Sequence, residues 1–278
     1  MTSNSPVPWS SYVAIGDSLS EGLWDVPPGT EPNEDPPVRG WADRLAEHLS
    51  ARRIAAGQSP LLYANLAIRG KLLEPILAEQ LPRALAMKPD LVSIIGGGND
   101  ALRPSMNPDR LAQLLEGAVS QLREAGIDVL IGTSSDVRGS PVMSAIRPRV
   151  GIYTAHIHSL ARHVGAYVLD VWGHRGLYDW RLWTEDRIHL SPEGHRRLAE
   201  AALVALGLPP SDPEWETPLP APKTMTRREQ FAWNRQWVHD WAGPWLVRRL
   251  RGESSGTGRS AKVPDWIEVV PGPDIVLP

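Results

Sequence analysis

The sequence predicts an α/β fold: a three-layer α/β/α sandwich on a five-stranded parallel sheet, with a C-terminal helical extension. Three observations predict it. Five short apolar runs recur between residues 12 and 171. Helical stretches separate them, and strands so spaced belong to a parallel sheet covered on both faces. After Leu208 the composition changes to a proline-rich connector followed by a helix with tryptophans at every fourth position.

The first run, Tyr12-Val13-Ala14-Ile15, ends at Gly16-Asp17 and reads as a buried strand. A proline- and acid-rich loop follows. Residues 40–49 carry Trp41, Leu45 and Leu49 at helical spacing. The second strand is expected over 61–66. A helix is expected over 71–87, broken at Pro82. The third strand, 91–95, runs into Gly96-Gly97-Gly98-Asn99-Asp100. A helix over 108–125 has Asn107 as its cap and Gly126 at its end. The fourth strand is read at 127–131. A helix over 149–164 is closed by Gly165, and the fifth strand spans 167–171. The last helix of this part, 192–206, has Ser191 as N-cap and Pro192 at its first position. In such sheets ligands bind at the carboxyl ends of the strands, so the loops after strands one, two, three and five should meet there.

Composition narrows the function. A formal net charge of -3 gives no general attraction to nucleic acid. With no cysteine, thiolate nucleophiles and cysteine-ligated metals are excluded. His156 and His158 are two apart on a helix and diverge, so no metal site is expected. Residues 1–11 lack the basic and apolar regions of a secretory signal, and no apolar run reaches bilayer length; the expected location is cytoplasmic.

Four segments carry chemistry. In Gly16-Asp17-Ser18-Leu19, a serine leaves the first strand in a tight turn, which exposes its hydroxyl beside backbone N–H groups. Alone, this also reads as a helix N-cap. In Asp186-Arg187-Ile188-His189, a loop brings a carboxylate to imidazole Nδ1–H and leaves Nε2 to take a serine proton. Alone, it also reads as an acidic loop with a surface histidine. Asn99 offers a fixed neutral donor suited to an oxyanion hole, or the left-handed residue of an ordinary turn. Gly70 offers a backbone N–H and by itself says almost nothing. The four fall after four different strands.

Together these residues resemble the SGNH (GDSL) hydrolase family over residues 11–206. Its Gly-Asp-Ser, glycine, Gly-x-Asn-Asp and Asp-x-x-His blocks match Ser18, Gly70, Asn99 and the Asp186/His189 pair. The resemblance implies a flavodoxin-like sheet and no cofactor. It also implies a triad of Ser18, Asp186 and His189, and an oxyanion hole from Ser18 N–H, Gly70 N–H and Asn99 Nδ2. The expected reaction is acyl transfer from a small-molecule ester through an acyl-serine. The expected domains are 1–208, the hydrolase, and 209–278, a connector, helix and tail packed on it.

Other residues are placed by the same reading. Asp17 is expected to be structural, and Asp100 to bond backbone near the elbow. His195 competes with His189 as base, but the acid three residues before His189 favours the latter. His174 and Asp179 are expected to line the site, and the loop 24–41 to shape the substrate pocket. Trp233, Trp237, Trp241 and Trp245 form one aromatic stripe. It reads first as a helix packed on the body, with a lid or a membrane-surface helix as minor readings. Two rival functions stand beside the hydrolase: a catalytically weak binding protein that uses this helix, and a transacylase that uses the same site.

Overall fold

The computed structural model describes residues 7–26, 37–138, 143–221, 225–242 and 255–270, the side chains of 241 and 242 excepted. The chain runs β1 (Ser11–Gly16), α1 (Ser18–Glu21), α2 (Trp41–Ala55), β2 (Leu61–Asn65), α3 (Leu73–Pro75), a π turn (Ile76–Gln80) and α4 (Leu81–Met87). It continues through β3 (Leu91–Ile95), α5 (Gly98–Ala101), α6 (Pro108–Glu124), β4 (Asp128–Gly132), α7 (Arg147–Val164), β5 (Tyr167–Leu169) and α8 (Pro192–Ala205). Then come α9 (Arg227–Trp237) and β6 (Val263–Val269).

The sheet has six strands in the order β5-β4-β3-β1-β2-β6. Five are parallel, as the apolar runs require; the sixth corrects the five-strand count. β6 lies antiparallel along β2, with Leu61 opposite Val269 and Asn65 opposite Val263. It covers an edge whose unpaired N–H and C=O groups would otherwise face solvent.

Alternate residues of β1 feed two cores. Tyr12 and Ala14 join Trp41, Leu45, Leu198 and Leu203 beneath α2 and α8. Val13 and Ile15 join Ile76, Leu115, Val119 and Ile157 beneath α6 and α7. A strand buried on both faces needs this unbroken apolar sequence.

The caps follow their side chains. Asn107 accepts from Asp109 N and Arg110 N at 2.9 and 3.1 Å. Ser191 accepts from Gly194 N at 3.3 Å. Against expectation, the helix does not stop at Pro82, the second residue of α4, which follows the turn Ile76–Gln80 without a gap. The irregularity is instead the π turn before it.

β1 pairs with both β2 and β3, so the strand order reverses there. Ser18 leaves the carboxyl end of β1 and Asn99 that of β3, on either side of the crevice this reversal opens.

Candidate active site

Gly16 ends β1 at φ +151°, and a Cβ there would lie 2.5 Å from Ile95 O and 2.6 Å from Ser20 Oγ. Only glycine lets the chain turn so sharply into α1. Gln80, buried at the end of the π turn, grips the same residue from both sides. Gly16 N–H donates to its Oε1 at 2.7 Å, and its Nε2 donates to Gly16 O at 3.0 Å. Single π turns often serve to re-aim one side chain at a functional site. Asn65 Nδ2 donates to Ser20 O at 2.8 Å, tying α1 to β2. Neither Gln80 nor Asn65 carried a sequence signal, since glutamine in a helix and asparagine at a strand end are both ordinary.

Ser18, His189 and Asp186 come together across this elbow. Ser18 Oγ lies 3.0 Å from His189 Nε2, and His189 Nδ1 lies 2.6 Å from Asp186 Oδ2. Asp186 Oδ1 accepts from Thr184 Oγ1 at 2.7 Å, Ile188 N at 2.9 Å and His189 N at 3.0 Å. Burial pushes the Asp186 carboxyl up, but the His189 and Ile188 bonds and the imidazole charge outweigh burial and hold it at about 2. An ionised carboxylate only accepts, so Nδ1 carries the proton, and in the neutral ring Nε2 is the acceptor facing Ser18.

His195 is the competitor the structure removes. It is fully buried; its Nδ1 accepts from Trp41 N at 3.2 Å, and its Nε2 faces Leu23 O at 3.4 Å. Burial pushes it down to about 3, so it stays a neutral link between backbone segments.

Asn99 stands opposite, its amide donating to Lys71 O at 3.0 Å and Asp17 Oδ2 at 3.2 Å. Asp17 caps α1 by accepting from Leu19 N at 3.1 Å, and burial lifts its carboxyl to about 6. Asp100 accepts from Leu73 N at 3.0 Å, on the segment after β2 rather than at the elbow. Gly97 takes φ +98° under Tyr153, whose Cε1 would be 2.7 Å from an added Cβ. Gly70, at φ +73°, precedes the Lys71 carbonyl that Asn99 bonds.

A cavity of about 380 Å³ opens on Ser18, Asn99 and His189. Its remaining wall is mainly apolar, with Leu102, Val137, Ile146, Leu177, Trp180 and Trp183. Gly70 does not line it. His174 and Asp179 do not line it either, against expectation: Asp179 borders a separate hollow with Arg175 and Arg197, and His174 stacks edge-on against Trp215 at 5.2 Å. The described part of the loop 24–41 contributes no wall, and 27–36 lie outside the described residues. The wall draws instead on residues within the segments 133–138, 143–150 and 171–190, and no motif marked the first two.

Of the stripe, Trp237 is buried and Trp233 is exposed, and both reach the 186–189 turn. Trp237 Nε1 donates to Asp186 O at 2.9 Å, and Trp233 lies over the Arg187 guanidinium. The Trp241 side chain and Trp245 lie outside the described residues. Among the described residues, no three His, Asp or Glu side chains converge as a metal site, and no helix is long and apolar enough to cross a membrane.

The sequence matches the GDSL-like Lipase/Acylhydrolase family over residues 14–197. The chain belongs to that family. The match spans the strands and loops that carry all three members of the hydrogen-bonded chain. Among solved structures, the chain is similar to an alpha/beta hydrolase enzyme from the metagenome of Lake Arreo, Spain. The TM-score is 0.58 at 25% identity, covering 71% of this chain and 95% of that one. TesA shares the fold at TM-score 0.54 and 24% identity, over 70% of this chain and 97% of its own. An acetyl xylan esterase from Geobacillus stearothermophilus does so at 0.60 and 22%, over 73% and 97%. No curated protein matches.

Proposed function

We propose that this family member is a serine ester hydrolase, acting on small-molecule carboxylic esters with an apolar acyl or alcohol group. The observation that carries the reading is the Ser18–His189–Asp186 chain, at 3.0 and 2.6 Å, opening on a mainly apolar cavity of about 380 Å³. That size suits a drug-sized or smaller ligand. Membership of an acylhydrolase family supports the same chemistry.

In this reading Ser18 Oγ attacks the ester carbonyl as His189 Nε2 takes its proton, and Asp186 stabilises the imidazolium. The oxyanion is assigned to Ser18 N–H and Asn99 Nδ2, whose residues line the cavity, and by the family resemblance alone to Gly70 N–H, whose residue does not. In the free site one Asn99 hydrogen rests on Asp17, so the developing oxyanion competes with that carboxylate for it. The tetrahedral intermediate collapses, and the alcohol leaves with the proton from His189. Water, deprotonated by the same nitrogen, then releases the acid and restores Ser18.

The test is hydrolysis of p-nitrophenyl esters from acetate to palmitate by wild type and Ser18→Ala. The reading expects kcat/KM to rise from acetate toward medium chains and nearly all turnover to vanish in the variant. Equal activity of folded Ser18→Ala overturns the nucleophile, and a preference for acetate alone overturns the apolar substrate.

A further inference from the structure

Arg187 lies inside the Asp186–His189 loop and takes φ +58°, a left-handed backbone that long side chains seldom adopt. Its side chain is deeply buried, at 7% exposure. Among the described residues no carboxylate pairs with it, and its Nε and Nη2 have no hydrogen-bond partner. Aromatic faces take the place of an anion. The guanidinium carbon lies 3.4 Å from the Trp233 ring centre, 5.1 Å from Trp237 and 6.0 Å from Trp180. Nη1 donates to Asn234 Oδ1 at 2.9 Å. Trp233, Asn234 and Trp237 all belong to α9, and Trp237 also bonds the Asp186 carbonyl at 2.9 Å.

A buried cation without compensation is costly, and ring faces compensate it. A left-handed arginine persists only where its surroundings over-determine it. If the rings are removed, the easiest relief is for Arg187 to swing into water and take the turn with it. The bonds that then open are those from Ile188 N and His189 N to Asp186 Oδ1, which set the carboxylate against the imidazole.

We propose that α9 is a positioning element of the reaction: its Trp233–Trp237 cage on Arg187 holds the 186–189 turn in register with Ser18. The catalytic consequence rests on the hydrolase reading above; the mechanical claim stands without it.

The main variant is Trp233→Ala, because Trp233 does not line the substrate cavity. Phe231→Ala, on the same helix but 70% exposed, is the control. Amide hydrogen exchange at Ile188 and His189 should accelerate ~tenfold in Trp233→Ala, while β1 and β3 stay as protected as in wild type and Phe231→Ala changes nothing. On a p-nitrophenyl ester, kcat should fall ~fivefold to ~tenfold with KM within ~twofold. Arg187 itself lines the cavity, so Arg187→Met is read by exchange alone, which should accelerate alike, with Arg187→Lys recovering part of the protection. If Trp233→Ala does not fold, Trp233→Leu keeps bulk, removes the ring face and carries the same expectation. Wild-type exchange in the folded variant overturns the proposal, and so does faster exchange with unchanged kcat. Absence of any ester cleavage by wild type overturns the hydrolase reading alone; the exchange rates then still decide the brace.

Discussion

Asp186→Asn removes a charge while keeping the outline of the turn. The wild-type carboxyl, held at about 2 against an ordinary 3.8, is stabilised as an anion in the folded state. At about 1.36 kcal/mol per pH unit, that difference amounts to about 2.5 kcal/mol. The folded value is the lower one, so this stability is present above pH ~4 and lost as pH falls toward about 2. The substituted side chain still offers an oxygen to Ile188 N and His189 N, but its amide nitrogen presents hydrogens to Nδ1. His189 must then accept at Nδ1 and carry its proton on Nε2, where it cannot take one from Ser18. The expected result is a kcat lower by ~10³–10⁴. The variant should also lose about 2.5 kcal/mol in urea denaturation at pH 7, and the loss should shrink as both proteins are acidified toward pH 2. A folded variant with near wild-type turnover refutes the assignment of tautomer and base. A stability loss that is the same at every pH refutes the charge argument.

Three further outcomes follow from the site. Asn99→Ala should lower kcat by ~10²–10³ with little change in KM, because it deletes a donor needed mainly in the transition state; a change confined to KM contradicts that role. Burial raises the Asp17 carboxyl from 3.8 to about 6, so its ionisation costs the fold about 3 kcal/mol as pH rises from 4 through 6. Asp17→Asn should therefore gain stability over wild type between urea titrations at pH 4 and pH 8, and a pH-independent difference contradicts this. Gln80→Leu strips Gly16 N–H of its buried acceptor and should cost about 1–3 kcal/mol as well as turnover; an unchanged urea midpoint shows that the grip on the elbow is dispensable.

Much of this was legible in the residues. Buried parallel strands must be apolar throughout, so β1 and β3 announced themselves. Asn107 and Ser191 cap where small oxygen-bearing side chains satisfy free helix N–H groups. The Asp-x-x-His spacing fixes a local turn, so that pairing needs no knowledge of the rest of the fold. Long-range placement was harder to read. β6 joins the sheet far from its sequence neighbours, and edge pairing depends on which edge is free. Gln80 reaches Gly16 because a π turn rotates it, and no local pattern signals that turn. His174 and Asp179 sit close to the site in sequence but line no part of its cavity, because the turns at Arg175–Tyr178 and Trp180–Leu182 present Leu177 and Trp180 there instead. Arg187 occupies an unrestricted position of its motif, and its cage comes from a helix 40 and more residues onward.

The central claim is that Ser18 is the nucleophile, and it is tested most directly by covalent trapping. Diethyl p-nitrophenyl phosphate, whose phosphorus accepts an activated serine oxygen and releases p-nitrophenol, should add one diethyl phosphoryl group per chain. Peptide mass spectrometry should place that group on Ser18, with ester hydrolysis lost in proportion. A label on another residue, or full hydrolysis by protein labelled at Ser18, would contradict the account.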